Sequence, residues 1–325
     1  MYTNVFDEFI NRITKNNELT EKDRAIVLKN LSLLKDTKVN ILITGATGCG
    51  KSSTINALFN SDKAKVGVGV DPETMDIQKY ALDNIVLYDS PGLGDGKDAD
   101  RRHAKNIIDK LVEKNADGDL LIDLVLVLID GSSRDYGTAF ELINNVIIPN
   151  LGDDTSRLLV AINQADVAMK GRYWNHDKNE PEQELVDFLN DKVLSTQKRI
   201  KEATGVDTTP IYYSAGYKDG DEQQNPYNLS KLLAHILRHT KREKRAVFMQ
   251  DLNKNDQMWE KDDELEDYKE EIKKTFIDSV VDTASKGAEI GAEIGKIFGA
   301  PGEAVGRVVG TIGGAIWGGL KSLFG

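Results

Sequence analysis

The chain has 325 residues, 40% hydrophobic and 29% charged, which is enough apolar sequence for one large domain or two smaller ones. Its formal net charge of −11 excludes a general nucleic-acid coat protein and predicts no DNA partner. Cys49 is the single cysteine, so no internal disulfide can form, and the N-terminal residues lack the basic and apolar regions of a secretory signal. These features predict a cytoplasmic protein.

Apolar residues at helical spacing predict a helical hairpin over 4–35 that breaks near Asn16–Thr20. Beyond it, short apolar runs alternate with helical stretches, and the runs end in polar residues or glycine. The runs occupy 39–44, 85–88, 120–129, 158–162 and 210–213, and the helical stretches occupy about 52–60, 101–115, 135–149, 182–203 and 228–250. This alternation predicts an α/β fold with a mostly parallel sheet, flanking helices and a ligand site at the carboxyl ends of the strands.

A phosphate-binding loop is predicted between the first strand and the helix that follows it. The sequence Gly45-Ala-Thr-Gly-Cys-Gly-Lys-Ser52 matches the pattern G-x-x-x-x-G-K-[ST]. Its glycines allow backbone N–H groups to surround phosphate oxygens, while Lys51 adds a positive charge and Ser52 a hydroxyl for Mg²⁺. The predicted nucleotide-binding residues here are Gly45, Ala46, Thr47, Gly48, Cys49, Gly50, Lys51, Ser52 and Ser53. For Cys49, packing beneath the phosphates is favoured over control by oxidation, which needs an exposed thiol of low pKa.

Two further segments predict contacts with Mg²⁺ and the γ-phosphate. Asp89-Ser-Pro-Gly92 follows a strand, so that Asp89 would hold Mg²⁺ through water and Gly92 would offer its N–H to the γ-phosphate. Thr74 lies in a polar loop and is the candidate switch threonine that completes the Mg²⁺ coordination, with an ordinary loop residue as the alternative. The predicted metal ligands are therefore Ser52, Thr74 and Asp89.

Two strand ends predict recognition of guanine. Asn163-Gln-Ala-Asp166 follows the fourth run, and the Asp166 carboxylate can accept hydrogen bonds from guanine N1–H and from its exocyclic amine. Adenine lacks this pair of donors and would leave Asp166 desolvated and unpaired. Ser214-Ala215 follows the fifth run, where the Ala215 N–H could meet guanine O6. Asn163, Gln164, Asp166, Ser214 and Ala215 are thus predicted to bind the nucleotide.

The ordered set of these motifs resembles the translation-factor class of P-loop GTPases over roughly residues 36–250. The segment from Gly45 to Phe59 is most similar to bacterial Era-like, HSR1-related GTPases, with some likeness to immunity-related and dynamin-like GTPases. The resemblance implies a P-loop NTPase fold, GTP and GDP as ligands with Mg²⁺, and GTP hydrolysis in which Lys51, Thr74 and Gly92 are the catalytic residues.

The sequence departs from the family pattern at three positions. Gly48 stands where potassium-activated relatives carry an asparagine, so potassium activation is not inferred. Gln164 stands where a lysine is usual, which reduces the charge near the base. Leu93 follows Gly92, where many GTPases carry a glutamine that orients water, so we expect slow hydrolysis without dimerisation or a partner. The resemblance suggests a homodimer through the G domains, and Arg101, Arg102 and Arg134 are candidate arginine fingers.

Another possible site is the pair His235 and His239, which lie four residues apart on a predicted helix. Such spacing can bind a metal, but the segment lacks the glutamate of H-E-x-x-H. An ordinary pair on the helix surface is favoured.

The C-terminal tail has a separate composition. Twelve of the 28 glycines fall in 287–325, and many recur every four residues, a pattern similar to a glycine zipper. The longest charge-free stretch, Val308–Leu320, is too short to span a bilayer. A helical hairpin that contacts a membrane or a protein is therefore favoured over one packed on the G domain.

The predicted domains are a helical N-terminal extension (1–35), a G domain (36–250), an acidic helical linker (251–275) and a glycine-zipper tail (276–325). The predicted function is a GTP-hydrolysing switch, peripheral at the inner face of a membrane when the tail binds there. The alternatives are a soluble Era-like GTPase acting on ribosomes or RNA, and a toxin-like or immunity element with a membrane-active tail.

Overall fold

The computed structural model describes residues 4–17, 19–59, 65–67, 77–219 and 222–288. Its centre is a seven-stranded sheet in the order β2-β3-β4-β1-β5-β6-β9. The strands are β1 (Val39–Gly45), β2 (Lys65–Gly67), β3 (Gln78–Ala81), β4 (Ile85–Asp89), β5 (Leu124–Asp130), β6 (Leu158–Asn163) and β9 (Ile211–Tyr212). All pairs from β4 to β9 are parallel, whereas β2 and β3 are antiparallel. The predicted α/β fold with a mostly parallel sheet is confirmed.

Helices cover both faces of this sheet because its central strands are apolar on both sides. In β5, Leu124, Leu126 and Leu128 join one hydrophobic cluster, and Val125 and Val127 join the other. The helices are α1 (Val5–Lys15), α2 (Glu21–Asp36), α3 (Lys51–Leu58), α4 (Lys97–Val112), α5 (Gly137–Glu141), α6 (Gln183–Thr204), α7 (Leu229–Arg238), α8 (Phe248–Asp251) and α9 (Tyr268–Ser285). Two short hairpins, β7–β8 (Trp174–Asn175 and Glu180–Pro181) and β10–β11 (Tyr217–Asp219 and Glu222–Gln224), complete the strands described.

The predicted N-terminal hairpin forms, with its break between α1 and α2. Asn4 and Thr20 cap the two helices by accepting hydrogen bonds from backbone N–H groups in the first turns. Asn30 on α2 donates to the carbonyl oxygens of Ala284 (3.1 Å) and Lys286 (2.8 Å), so the hairpin is joined to the end of α9. The N-terminal hairpin and α9 thus pack together on one face of the sheet.

Three segments differ from the sequence-based expectations. The antiparallel strands β2 and β3 were not predicted, because β2 is only three residues long and β3, next to it, is mostly polar and half-exposed. The predicted helix over 135–149 becomes α5, one π-helical segment and a 3₁₀ turn, since Pro149 cannot continue an α-helix. The third apolar run becomes a strand only from Leu124, because Asp123 before it is engaged by the Asn40 N–H and by Lys244.

The acidic segment near the C-terminus packs on the G domain through a buried carboxylate. Asp263 accepts from Lys231 Nζ over 2.6 Å and from the Tyr268 hydroxyl over 3.0 Å. Helix α9 spans position 275, where the sequence analysis placed the end of the acidic linker. The predicted domain boundaries stay predictions. The tail from 289 onward lies outside the described residues. Among the residues that the structure describes, no helix is long and apolar enough to cross a membrane.

Candidate nucleotide-binding site

The phosphate loop lies between the carboxyl end of β1 and the start of α3. Lys51 Nζ donates to the carbonyl oxygens of Gly45 (2.8 Å) and Ala46 (3.4 Å), which holds its charge over the loop. Gly50 has φ +88°, and a Cβ there would lie 2.2 Å from Asn163 Nδ2, so this turn requires glycine. No side chain caps α3, and its first N–H groups therefore suit an anion.

The other predicted loop residues surround the same turn. Thr47, Gly48 and Ser52 are exposed, whereas Cys49 is buried. Burial raises the pKa of the Cys49 thiol, an effect that the Lys51 charge partly opposes. This environment is the opposite of an exposed thiol with a low pKa and supports packing as the role of Cys49.

The candidate Mg²⁺ position is defined by Asp89 at the end of β4, opposite Ile43 of β1. Asp89 Oδ1 is buried and has no hydrogen-bond partner among the described residues. Burial raises the pKa of the carboxyl group, and nearby Lys51 lowers it. A buried carboxylate oxygen left unpaired fits a site that holds Mg²⁺, directly or through water. Ser52 is exposed in the first turn of α3, and Thr74 lies outside the described residues.

Gly92 lies against the phosphate loop. A Cβ on Gly92 would be 2.6 Å from the carbonyl carbon of Gly45 and 2.7 Å from the Ala46 nitrogen. The Gly92 carbonyl oxygen lies 3.1 Å from Nδ1 of the buried His103 on α4. Sequence reasoning missed His103 because no motif contains it. Leu93 is buried, so the residue after Gly92 faces the core.

Asn163 joins the guanine motif to the phosphate loop. Its Nδ2 donates to the Cys49 carbonyl over 2.9 Å, and its Oδ1 accepts from the Ala215 N–H over 2.9 Å. Gln164, at φ +62°, donates through Nε2 to the Gly48 carbonyl over 2.7 Å. The predicted contact of Ala215 with guanine O6 stays a prediction, since this N–H is bonded to Asn163 here.

Asp166 is 7% exposed, and both of its oxygens accept hydrogen bonds. Ser214 Oγ donates to Oδ1 over 2.7 Å, and Gln224 Nε2 donates to Oδ2 over 3.1 Å. The structure therefore brings the two predicted guanine segments together. Gln224, on the β10–β11 hairpin, was not predicted because it belongs to no motif.

The remaining candidates are the three arginines proposed as fingers and the histidine pair on α7. Arg101, Arg102 and Arg134 are exposed, the first two on α4 and the third in the loop after β5. His235 is buried, so the expected pair on the helix surface is wrong for this residue. The described residues contain no group of three or more His, Cys, Asp and Glu side chains that could hold a metal.

Comparison with known proteins identifies the central segment. Residues 40–164 match the HSR1-related family model described as 50S ribosome-binding GTPase. The tRNA modification GTPase MnmE of Mycoplasmopsis pulmonis (strain UAB CTIP) is 31% identical over 115 residues, 33% of this chain and 24% of that protein. The match thus spans about a quarter of that relative's length.

Two solved structures illustrate the structural neighbours. The probable GTP-binding protein engB is 22% identical with a TM-score of 0.35, over 62% of this chain and 98% of that chain. Toc33 from Arabidopsis thaliana in complex with GDP and Mg²⁺ is 16% identical with a TM-score of 0.40, over 66% of this chain and 85% of that chain.

Proposed function

We propose that this chain, whose residues 40–164 are an HSR1-related P-loop GTPase domain, is a guanine-selective switch that hydrolyses GTP with Mg²⁺. The observation that carries the proposal is the position of Asp166. This buried carboxylate stands at the end of the strand whose Asn163 is bonded to the phosphate loop. A nucleotide with its phosphates at Lys51 would therefore have its base near Asp166.

Selectivity follows from the hydrogen-bonding capacity of Asp166. Guanine would donate to the carboxylate from N1–H and from its amine, in place of or alongside Ser214 and Gln224. Adenine has neither the N1–H nor the 2-amine and would turn its N1 lone pair toward the carboxylate, so the charge-assisted hydrogen bonds that guanine makes would be lost at a cost of about 1–3 kcal/mol. We expect a preference for guanine nucleotides of about tenfold or more.

Lys51, Ser52 and Asp89 would hold the phosphates and the metal. Lys51 would neutralise charge on the β- and γ-phosphates, and the uncapped N–H groups of α3 would bind their oxygens. Bound Mg²⁺ would offset the negative charge that develops during phosphoryl transfer. Gly92 would offer its N–H to the γ-phosphate, and Thr74 would complete the metal coordination.

Hydrolysis is proposed to be slow in the isolated molecule. Leu93 is buried and apolar, so it cannot orient the attacking water. A second G domain or another partner would supply the missing group, for which exposed Arg134 is one candidate. Turnover per molecule that rises with protein concentration would support pairing, and a constant value would contradict it.

The binding part of the proposal is tested with fluorescent GDP and ADP. In Mg²⁺ the wild type should bind GDP at least about tenfold more tightly than ADP, and Asp166→Ala should remove that preference. The matched control is Asp177→Ala, an exposed aspartate in the β7–β8 hairpin. Equal affinity of the wild type for GDP and ADP would contradict the proposal.

For the tail we propose reversible contact with a membrane, on the basis of its glycine period of four and its apolar stretch Val308–Leu320. Flotation with liposomes compares the full chain with one lacking 289–325, a deletion that leaves α9 intact. Loss of flotation in the shortened chain would support the proposal, and absence of flotation by the full chain would contradict it.

A further inference from the structure

A cavity of about 1000 Å³ lies between the loop after β5 and helix α6. The turn three to six residues beyond Asp166 forms another wall. Five cationic side chains line this cavity against the single carboxylate of Asp135, although the whole chain carries a net charge of −11. The cationic residues of this basic cavity are Arg134, Lys170, Arg172, Lys192 and Arg199.

Aromatic rings contact two of these cations, Lys192 and Arg199. The Lys192 ammonium lies 4.4 Å from the centre of the Tyr136 ring and donates to its hydroxyl over 2.8 Å. The Arg199 guanidinium lies 5.4 Å from the centre of the Phe140 ring. The basic cavity thus offers positive charge together with apolar area. This combination fits an acidic segment that carries one apolar side chain.

The same chain exposes a segment of that chemistry. The acidic loop, residues 260–267, contains six acidic residues and one lysine. Leu265 at its tip is 74% exposed and stands between the exposed Glu264 and Glu266. Hydrogen bonds hold the loop on the G domain, because the Asp263 carboxylate accepts from Lys231 and from the Asn228 side chain, and the Asp263 N–H donates to that side chain. The loop is therefore a preformed acidic protrusion with a leucine at its tip.

We propose that the acidic loop of one molecule docks in the basic cavity of a second copy of this chain. Leu265 would lie against the aromatic rings, and Glu264 would lie against Arg172 and Arg199. The two surfaces belong to different parts of the chain, so the contact is either made twice in a two-fold dimer or repeated head to tail. This association does not require bound nucleotide, and because Arg134 also lines the basic cavity, it is measured without nucleotide to keep it apart from the pairing proposed for hydrolysis.

The experiment is sedimentation of the full chain between about 1 µM and about 1 mM, the range expected for a small interface. The wild type should self-associate, and the association should weaken in high salt. A loop variant, Glu260→Lys with Glu264→Lys, and a cavity variant, Arg172→Glu with Arg199→Glu, should each dissociate at least about 100-fold more readily. A mixture of the two variants should associate again, because reversed charges then face each other and the unchanged surfaces also match.

Controls separate docking from loss of structure. Leu265→Ala should weaken association, whereas Leu194→Ala should not, although Leu194 is 61% exposed on α6. Lys198→Glu, on the same helix but outside the cavity, should also have no effect. Unchanged thermal unfolding of each variant verifies the fold. A wild type that stays monomeric would overturn the proposal, as would a mixture of the two variants that fails to associate. The proposal would also be overturned if the cavity variant dissociated while the loop variant associated like the wild type.

Discussion

The amide of Asn163 donates to the carbonyl oxygen of Cys49 over 2.9 Å, which connects the end of β6 to the phosphate loop. The same side chain accepts from the Ala215 N–H, so one buried amide bridges three segments of the proposed nucleotide site. Through this amide, the proposed base recognition would be coupled to the proposed phosphate binding.

Replacement of Asn163 by alanine should therefore damage binding as well as stability. Asn163→Ala leaves the Cys49 carbonyl and the Ala215 N–H without their partner, at a cost of about 1–3 kcal/mol each when buried. We expect affinity for GDP to fall by about tenfold or more, measured by fluorescence titration. The control is Asn175→Ala in the β7–β8 hairpin. Unchanged GDP affinity in Asn163→Ala would show that the bridge has no role in binding.

Gly92→Ala should reduce turnover because the added Cβ would lie 2.6 Å from the carbonyl carbon of Gly45. Either Gly92 or the phosphate loop must move, and a displacement of about 1 Å at a reacting site can cost about 100-fold in rate. GTP turnover in Gly92→Ala should therefore fall about 100-fold. Gly137→Ala is the matched control, since its Cβ would meet only the flexible Asp135 side chain. Similar turnover in both variants would contradict the assigned position of Gly92.

The Mg²⁺ dependence of nucleotide binding should be sensitive to pH through Asp89. Burial raises the pKa of this carboxyl group, with Lys51 opposing, and only the ionised form attracts Mg²⁺. As the pH falls, Mg²⁺ affinity should therefore decline at a higher pH than for an ordinary carboxyl group. Titration with Mg²⁺ between about pH 5 and pH 8 measures this decline. Asp89→Asn should bind Mg²⁺ weakly at every pH, and a pH dependence that persists in this variant would exclude Asp89 as its origin.

His235 should make the fold sensitive to acid. Burial, with the charge of Arg238, lowers the pKa of this imidazole from 6.5 to about 4. Between these values the unfolded chain binds a proton more readily than the folded one, so the free energy of unfolding decreases as the pH falls. The decrease attributable to His235 should approach about 3 kcal/mol. Denaturant unfolding of His235→Leu should depend less on pH, whereas His176→Leu, at an exposed position, should behave as wild type. An equal pH dependence in both variants would contradict this role.

The sequence allowed prediction of the parallel strands of the sheet, the phosphate loop and the grouping of Asn163 and Asp166 with Ser214, because these features depend on local patterns at strand ends. The contacts of His103 with Gly92 and of Gln224 with Asp166 could not be predicted, since each joins residues that only the tertiary fold brings together. The packing of α9 on α2 was also inaccessible, because apolar residues at helical spacing indicate a buried face but not which helix covers it. Thr74 and the tail from 289 onward stay predictions.

The central claim, a guanine-selective hydrolase, is tested most directly by phosphate release from GTP and from ATP in Mg²⁺, by the wild type and by Asp166→Asn. Slow turnover of GTP, at least about tenfold faster than that of ATP, with loss of this preference in the variant, is the predicted result. Equal turnover of GTP and ATP by the wild type would contradict the account.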